Sequence, residues 1–177
     1  PKYLNSQESL IFNKRQILYG LSLAKTSFRE HGHLYVVEGY MDAIMMHQCG
    51  FKNTVAVMGI ALTEDHLRIL SPVLRTATLL FDQDNAGLAA ALKALPLLQA
   101  RKITALRVDL PNSKDPDEFL RAQGALAFKK QADAATPWID YLIEQKTHQP
   151  TGANVDAKLL VLSEIFQLLK PLGMEME

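Results

Sequence analysis

Asp82 and Asp84 stand one residue apart at the end of the apolar run Thr78-Leu79-Leu80-Phe81, and a turn holding Gly87 follows them. The run reads as a buried strand and the Ala/Leu-rich stretch after the turn as a helix. If the strand continues through them, alternation points both carboxylates the same way, toward one ligand. Two carboxylates held close repel unless a shared proton or a cation relieves them, and a hard divalent ion such as Mg²⁺ or Mn²⁺ suits oxygen donors. An EF-hand loop is excluded, because counting from Asp82 its fifth and twelfth places fall on Ala86 and Lys93. A phosphatase with an aspartyl nucleophile usually carries Thr or Val where Ala86 stands, which weakens that reading without removing it. The plainest alternative is a solvated turn in which Asp84 or Asn85 caps the helix.

The elements that must position these acids follow from periodicity. Leu10, Ile11, Lys14, Ile17, Leu18, Leu21 and Ala24 recur at near-helical spacing, which predicts a helix ending near Gly32. Leu34-Tyr35-Val36-Val37 reads as a strand that runs into Glu38-Gly39; a helix over Tyr40 to Gln48 follows, with Asp42 in its first turn suiting the helix dipole. A second strand, Thr54 to Met58, leads through Gly59 to a helix capped by Thr63. After the strand of Asp82 come a helix to about Gln99, which Pro96 should break or kink, and a fourth strand from Ile103 to Asp109. From Glu118 onward no strand is evident, only helical patterns over about 117–123, 126–134, 136–145 and 154–169. The expectation is an α/β fold with a mainly parallel sheet flanked by helices, followed by a C-terminal helical subdomain. In a parallel sheet all carboxyl ends share one edge, so Glu38, Asp82/Asp84 and the Asp115/Asp117 pair collect there, as a ligand site would require.

Composition sets the outer bounds. With 177 residues, 48% hydrophobic and 21% charged, the chain reads as globular with one full core and room for a second lobe. Nineteen acids balance 19 Lys and Arg, so binding of nucleic acid must come from a local patch or from segments beyond this sequence. No apolar run approaches a membrane span, and the opening Pro1-Lys2 suggests a fragment rather than a leader. The single Cys49 excludes an internal disulfide and fits a cytoplasmic setting, and the five histidines have no zinc-like spacing. Trp138 reads as a core anchor.

Six motifs in order then carry a resemblance: Pro1-Lys2-Tyr3-Leu4-Asn5-Ser6, Leu18-Tyr19-Gly20-Leu21, Glu38-Gly39-Tyr40-Met41-Asp42, Ala61-Leu62-Thr63, Phe81-Asp82-Gln83-Asp84-Asn85-Ala86-Gly87 and Asp115-Pro116-Asp117-Glu118. Over about residues 1–130 they resemble the TOPRIM-containing central polymerase domain of DnaG-type bacterial primases. The resemblance implies an end of a basic subdomain and a linking helix over 1–31, a metal-binding TOPRIM core over 32–116 and a helical subdomain over 117–177. It implies Glu38, Asp82 and Asp84 as catalytic residues, and Glu38, Asp82, Asp84, Asp115 and Asp117 as metal ligands for Mg²⁺, with Mn²⁺ able to substitute. Lys2, Tyr3, Asn5 and Lys14 would then handle nucleic acid or nucleotide.

The implied partners are a single-stranded DNA template, ribonucleoside triphosphates and a replicative helicase engaged through a domain absent from this chain, with no membrane and a place at replication forks on the nucleoid. One departure stands out: primases commonly have Gly-Thr before Ala-Leu-Thr, where this chain has Gly59-Ile60. The same acids would also serve a TOPRIM nuclease or topoisomerase fragment, and the fold alone would serve a non-catalytic binding module. The Lys2-Tyr3-Asn5 stretch favours the polymerase, and five mutually repelling carboxylates argue against a scaffold.

Overall fold

A five-stranded sheet forms the centre of the molecule, seen in a computed structural model that describes residues 6, 7, 9, 12–70 and 72–147. Its strands are β1 (His33–Val37), β2 (Thr54–Ala56), β3 (Thr76–Leu80), β4 (Thr104–Arg107) and β5 (Thr136–Pro137), in the order β2-β1-β3-β4-β5. The first four are parallel, and β5 runs antiparallel to β4 with Arg107 opposite Thr136. Among the described residues the helices around them are α1 (Leu21–His31), α2 (Tyr40–Gln48), α3 (Glu64–Leu70), α4 (Asn85–Gln99), α5 (Pro116–Asp133) and α6 (Trp138–Thr147).

Alternation along the strands builds two cores. Leu34 and Val36 of β1 point into one cluster with Phe28, Leu67, Leu70, Leu79, Leu98 and Trp138, while Tyr35 and Val37 point into the other with Met46, Phe119 and Phe128. The three strands β2, β1 and β3 are therefore dry on both faces, whereas β4 and β5 stay partly exposed. Trp138 is an anchor of the first core, as the sequence predicts.

Two local expectations are corrected. The first helix does not reach back to Leu10: Gly20 is left-handed at φ 80°, and just before it Tyr19 exchanges both backbone hydrogen bonds with Ala56, at 3.0 Å each. The segment before Gly20 is thus committed to β2 rather than to a helical ladder. A strand does occur after Glu118, because Thr136 and Pro137 add to β4; two residues containing a proline give no periodic signal. Helix α4 continues through Pro96 to Gln99. The two patterns expected over 117–134 meet at a kink in α5, where Gly124 takes φ 79°, ψ 173°. The pattern expected over 154–169 lies outside the described residues. Among the described residues no helix is long and apolar enough to cross a membrane.

Candidate active site

β1 is flanked by β2 on one side and β3 on the other, so the chain leaves β1 in one direction and returns to the opposite side after β2. Such a reversal opens a crevice beyond the carboxyl ends of the strands. Glu38 follows β1 and Asp82 follows β3 across that crevice, and the turns into α2 and α5 add Asp42, Asp115 and Asp117. These five acids and Arg121 line one cleft of 620 Å³, with Met58 and Gly59 on its wall.

Three of the five acids that line the cleft, Glu38, Asp42 and Asp115, also accept from backbone N–H groups. Glu38 Oε1 accepts from the Asp82 N–H at 3.1 Å, which fixes the turn after β3 to the end of β1. Asp42 Oδ2 accepts from Gly39 N–H, and its Oδ1 accepts from Asp117 N–H, both at 3.2 Å, so α2 holds the start of α5 in register. Asp115 caps α5 by accepting from Glu118 N–H at 2.8 Å. Asp84 caps α4 in the same way, its Oδ1 accepting from Ala86 and Gly87 N–H groups at 2.8 Å. Asp117 differs from the rest in holding a cation, since Arg121 Nε approaches both its oxygens at 2.9 and 3.0 Å.

The electrostatic result is strain in charge rather than in geometry. Burial pushes the Asp42 carboxyl up to about 6, and the Asp115 charge adds to it, against the pull of the Asp117 and Gly39 N–H groups. Glu38 is raised by burial and then by the Asp82 charge, and Asp82 is raised by burial and then by Asp115 and Asp84. A cleft in which Glu38, Asp42 and Asp82 resist ionisation is one that a cation would stabilise.

The donor set is all oxygen, which fits Mg²⁺ or Mn²⁺ and does not fit a thiophilic metal. Among the described residues no three His, Cys, Asp or Glu side chains converge closely enough to clasp an ion as they stand. Mg²⁺ usually takes one or two carboxylates and keeps several waters, a demand that Asp82 and its neighbours can meet without such convergence.

The structure separates the acid pair that the sequence joins. β3 ends at Leu80, so alternation does not extend to Asp84. Asp82 lines the acidic cleft, whereas Asp84 is absent from its lining and turns onto the start of its own helix. Both the capping reading and a place beside the site are therefore realised, since the Asp84 charge still raises Glu38. Gly87 makes this turn possible: a Cβ there would lie 2.0 Å from the Asp82 carbonyl oxygen.

Asp42 is the site residue that sequence reasoning missed. Its place in a helical first turn accounts for it on dipole grounds alone, yet it is 7% exposed and faces Asp115 and Asp82. The signal available was its position in Glu38-Gly39-Tyr40-Met41-Asp42, one turn beyond Glu38. Lys2, Tyr3 and Asn5 lie outside the described residues. Lys14 is described and half-buried, and its carbonyl accepts from His66 Nε2 at 2.8 Å. His66 Nδ1 accepts from Thr63 N–H, so the proton sits on Nε2, and Thr63 Oγ1 donates to the Arg15 carbonyl at 2.6 Å. The Ala61-Leu62-Thr63 motif thus fastens the Lys14-Arg15 segment to α3, and is not part of the acidic cleft.

Comparison with known proteins agrees with this architecture. Residues 35–120 match the Toprim-like family. The chain is 35% identical over 173 residues to the DNA primase of Clostridium acetobutylicum, covering 97% of this chain and 29% of that protein. It is 42% identical over 164 residues to the DNA primase of Pseudomonas putida, covering 89% of this chain and 24% of that protein. The chain thus spans less than a third of the length of the curated relatives it matches. Among solved structures, a DNA primase domain from Pseudomonas aeruginosa superposes with a TM-score of 0.82 at 35% identity, over 97% of this chain and 55% of that one. A DnaG primase catalytic domain bound to single-stranded DNA also gives 0.82, at 32% identity over 99% of this chain and 56% of that one. With Glu38 and Asp82 facing each other across the switch point of a Toprim-like sheet, the chain belongs to the TOPRIM-containing DnaG-type primases, as a segment matching their catalytic core.

Proposed function

We propose that this chain is the nucleotidyl-transfer core of a primase, joining ribonucleoside triphosphates into short RNA primers on single-stranded DNA. The observation that carries the proposal is the meeting of acids from separate turns at the switch point between β1 and β3. In this reaction a primer 3′-hydroxyl attacks the α-phosphorus of an incoming nucleotide and pyrophosphate leaves. Bare carboxylates would repel the triphosphate, so the site needs cations.

Asp82, Asp42 and Asp115, with Glu38 and Asp117 beside them, would hold Mg²⁺ or Mn²⁺. The ions, when bound, lower the hydroxyl pKa and neutralise the leaving group. Glu38 keeps the Asp82 turn in place through its Oε1, and its raised pKa equips it to accept the hydroxyl proton. Asp84 acts from the far side of Asp82, by charge and by holding the α4 start. Arg121 pairs with Asp117 and orients it. Residues 32–116 form the metal-binding core in this reading, with 1–31 leading in from a basic subdomain and 117–177 adding a helical one. Lys14, fastened by His66, would engage the template in this reading, the same task assigned to Lys2, Tyr3 and Asn5. The setting is the cytoplasm at replication forks, with the helicase contacted outside this chain.

The test is extension of an annealed RNA primer by labelled nucleotides, run beside cleavage of a labelled single strand in Mg²⁺ and in Mn²⁺, in the primase-length protein. Glu38→Gln is expected to abolish extension while preserving fold and template binding. Metal-dependent cleavage without extension would replace the polymerase by a TOPRIM nuclease.

A further inference from the structure

A second pocket, of 230 Å³, adjoins the acidic cleft and shares Asp82 with it. The short β5 strand, unforeseen from sequence, makes this pocket: it brings α6 over the end of β4, so that Trp138 and Tyr141 stand beside Arg107 and Val108. Phe81 and Asp84 line it from the turn after β3.

Its chemistry differs from that of the cleft. The Arg107 guanidinium lies 4.0 Å from the Tyr141 ring centroid and 6.0 Å from that of Trp138. Arg107 also pairs with Asp109 at 2.7 Å, so its charge is already met and it offers a planar face rather than a free cation. Asp82 and Asp84 stand at the same pocket. The indole Nε1–H of Trp138 is buried and has no hydrogen-bond partner among the described residues, an unmet donor in a residue only 6% exposed. Aromatic walls, a stacked guanidinium and carboxylates at the rim suit a flat heterocycle with donors on its edge.

We propose that this pocket is a nucleobase subsite: it takes the base of a nucleoside triphosphate whose phosphates lie in the acidic cleft, with Asp82 at the junction. The proposal rests on the nucleotidyl-transfer reading of that cleft. It assigns Tyr141 and Arg107 to base stacking, and it gives β5 and α6 a role in substrate binding.

Trp138 is the chain's single tryptophan, so its indole N–H gives one cross-peak in a ¹H–¹⁵N spectrum and reports on this pocket directly. With Mg²⁺ present, ATP or GTP is expected to shift that peak saturably, and inorganic tripolyphosphate is expected to leave it in place. Tyr141→Ala should raise the apparent Kd for the nucleotide about ten-fold, the loss of one stacked base contact. If Tyr141→Ala melts early, Leu88→Phe, which fills the pocket from α4, should weaken nucleotide in the same way while keeping the fold. Nucleotide binding seen by calorimetry with an unmoved indole peak, or an equal shift with tripolyphosphate, would overturn the subsite. Primer extension with an unmoved peak would remove the subsite and leave the polymerase standing. A base-dependent shift in a protein that never extends a primer would keep the subsite and remove the polymerase.

Discussion

The two ends of the central strands both gather polar side chains, and they treat them in opposite ways. Toward the amino ends, His33 Nε2 meets Thr78 Oγ1 at 2.8 Å, Asn53 Nδ2 meets His33 Nδ1 at 3.2 Å and donates to the His33 carbonyl at 3.0 Å, and Thr54 Oγ1 donates to the Phe51 carbonyl at 2.7 Å. Burial lowers the His33 pKa, which favours the neutral ring, so that network carries no charge to compensate. At the carboxyl ends, like charges face one another and receive mainly backbone N–H groups, with Arg121 alone among the charged residues lining the cleft being cationic. A neutral, satisfied network favours the fold whatever is bound. A cluster of like charges costs stability until a ligand arrives, and that cost is what the ligand relieves.

The contrast breaks most completely at Gly87. With the Asp82 carbonyl 2.0 Å from where a Cβ would stand, Gly87→Ala must move the turn or α4, at a cost of about 3 kcal/mol, and it should displace Asp82 as well. Chemical denaturation checks the first effect and Mn²⁺ affinity the second.

Acidity should sharpen the contrast next. The folded pKa of Asp42, about 6, lies above its ordinary 3.8, so between those values the native state binds more protons than the unfolded one. Stability of the metal-free protein is therefore expected to fall as pH rises from about 4 through 6, by roughly 3 kcal/mol at most from this group. Asp42→Asn should flatten that slope in denaturation curves measured across the range. A metal-free protein whose stability rises steadily from pH 4 to 7 would contradict the assignment of Asp42 to a repelling cluster.

At the neutral end, Asn53→Ala removes two contacts to His33 and should cost about 2 kcal/mol by denaturation, with metal affinity unchanged. Asp82→Asn should do the reverse and raise the melting temperature of the metal-free protein. The gain should be no more than about 1 kcal/mol, because Asp82 is half-buried and solvent screens its repulsions.

Much of this was legible in the sequence, for physical reasons particular to each element. Strands buried on both faces announce themselves as apolar runs, and the acids at their ends are visible because the run stops at them, as at Val37-Glu38 and Phe81-Asp82. Helix caps at Thr63 and Asp84 are local and readable. What depends on tertiary pairing was not readable. The Tyr19 pairing with Ala56 cancels a helical pattern in residues that propensity favours, β5 is two residues long, and Asp42 looks like any acid in a first turn until α5 packs beside it. The pocket beside Arg107 was hidden for the same reason, since it exists only once α6 crosses β4.

The central claim is that the acids at the carboxyl edge act together as a cation site, and Mn²⁺ titration by calorimetry tests it most directly. Wild-type protein at pH 7 is expected to bind Mn²⁺ with an affinity that falls at least about ten-fold in Asp82→Asn and again in Asp42→Asn, a loss of about 1.4 kcal/mol each. Asn53→Ala should bind as the wild type does. Equal Mn²⁺ affinity in all four proteins would place the ion elsewhere and contradict the account.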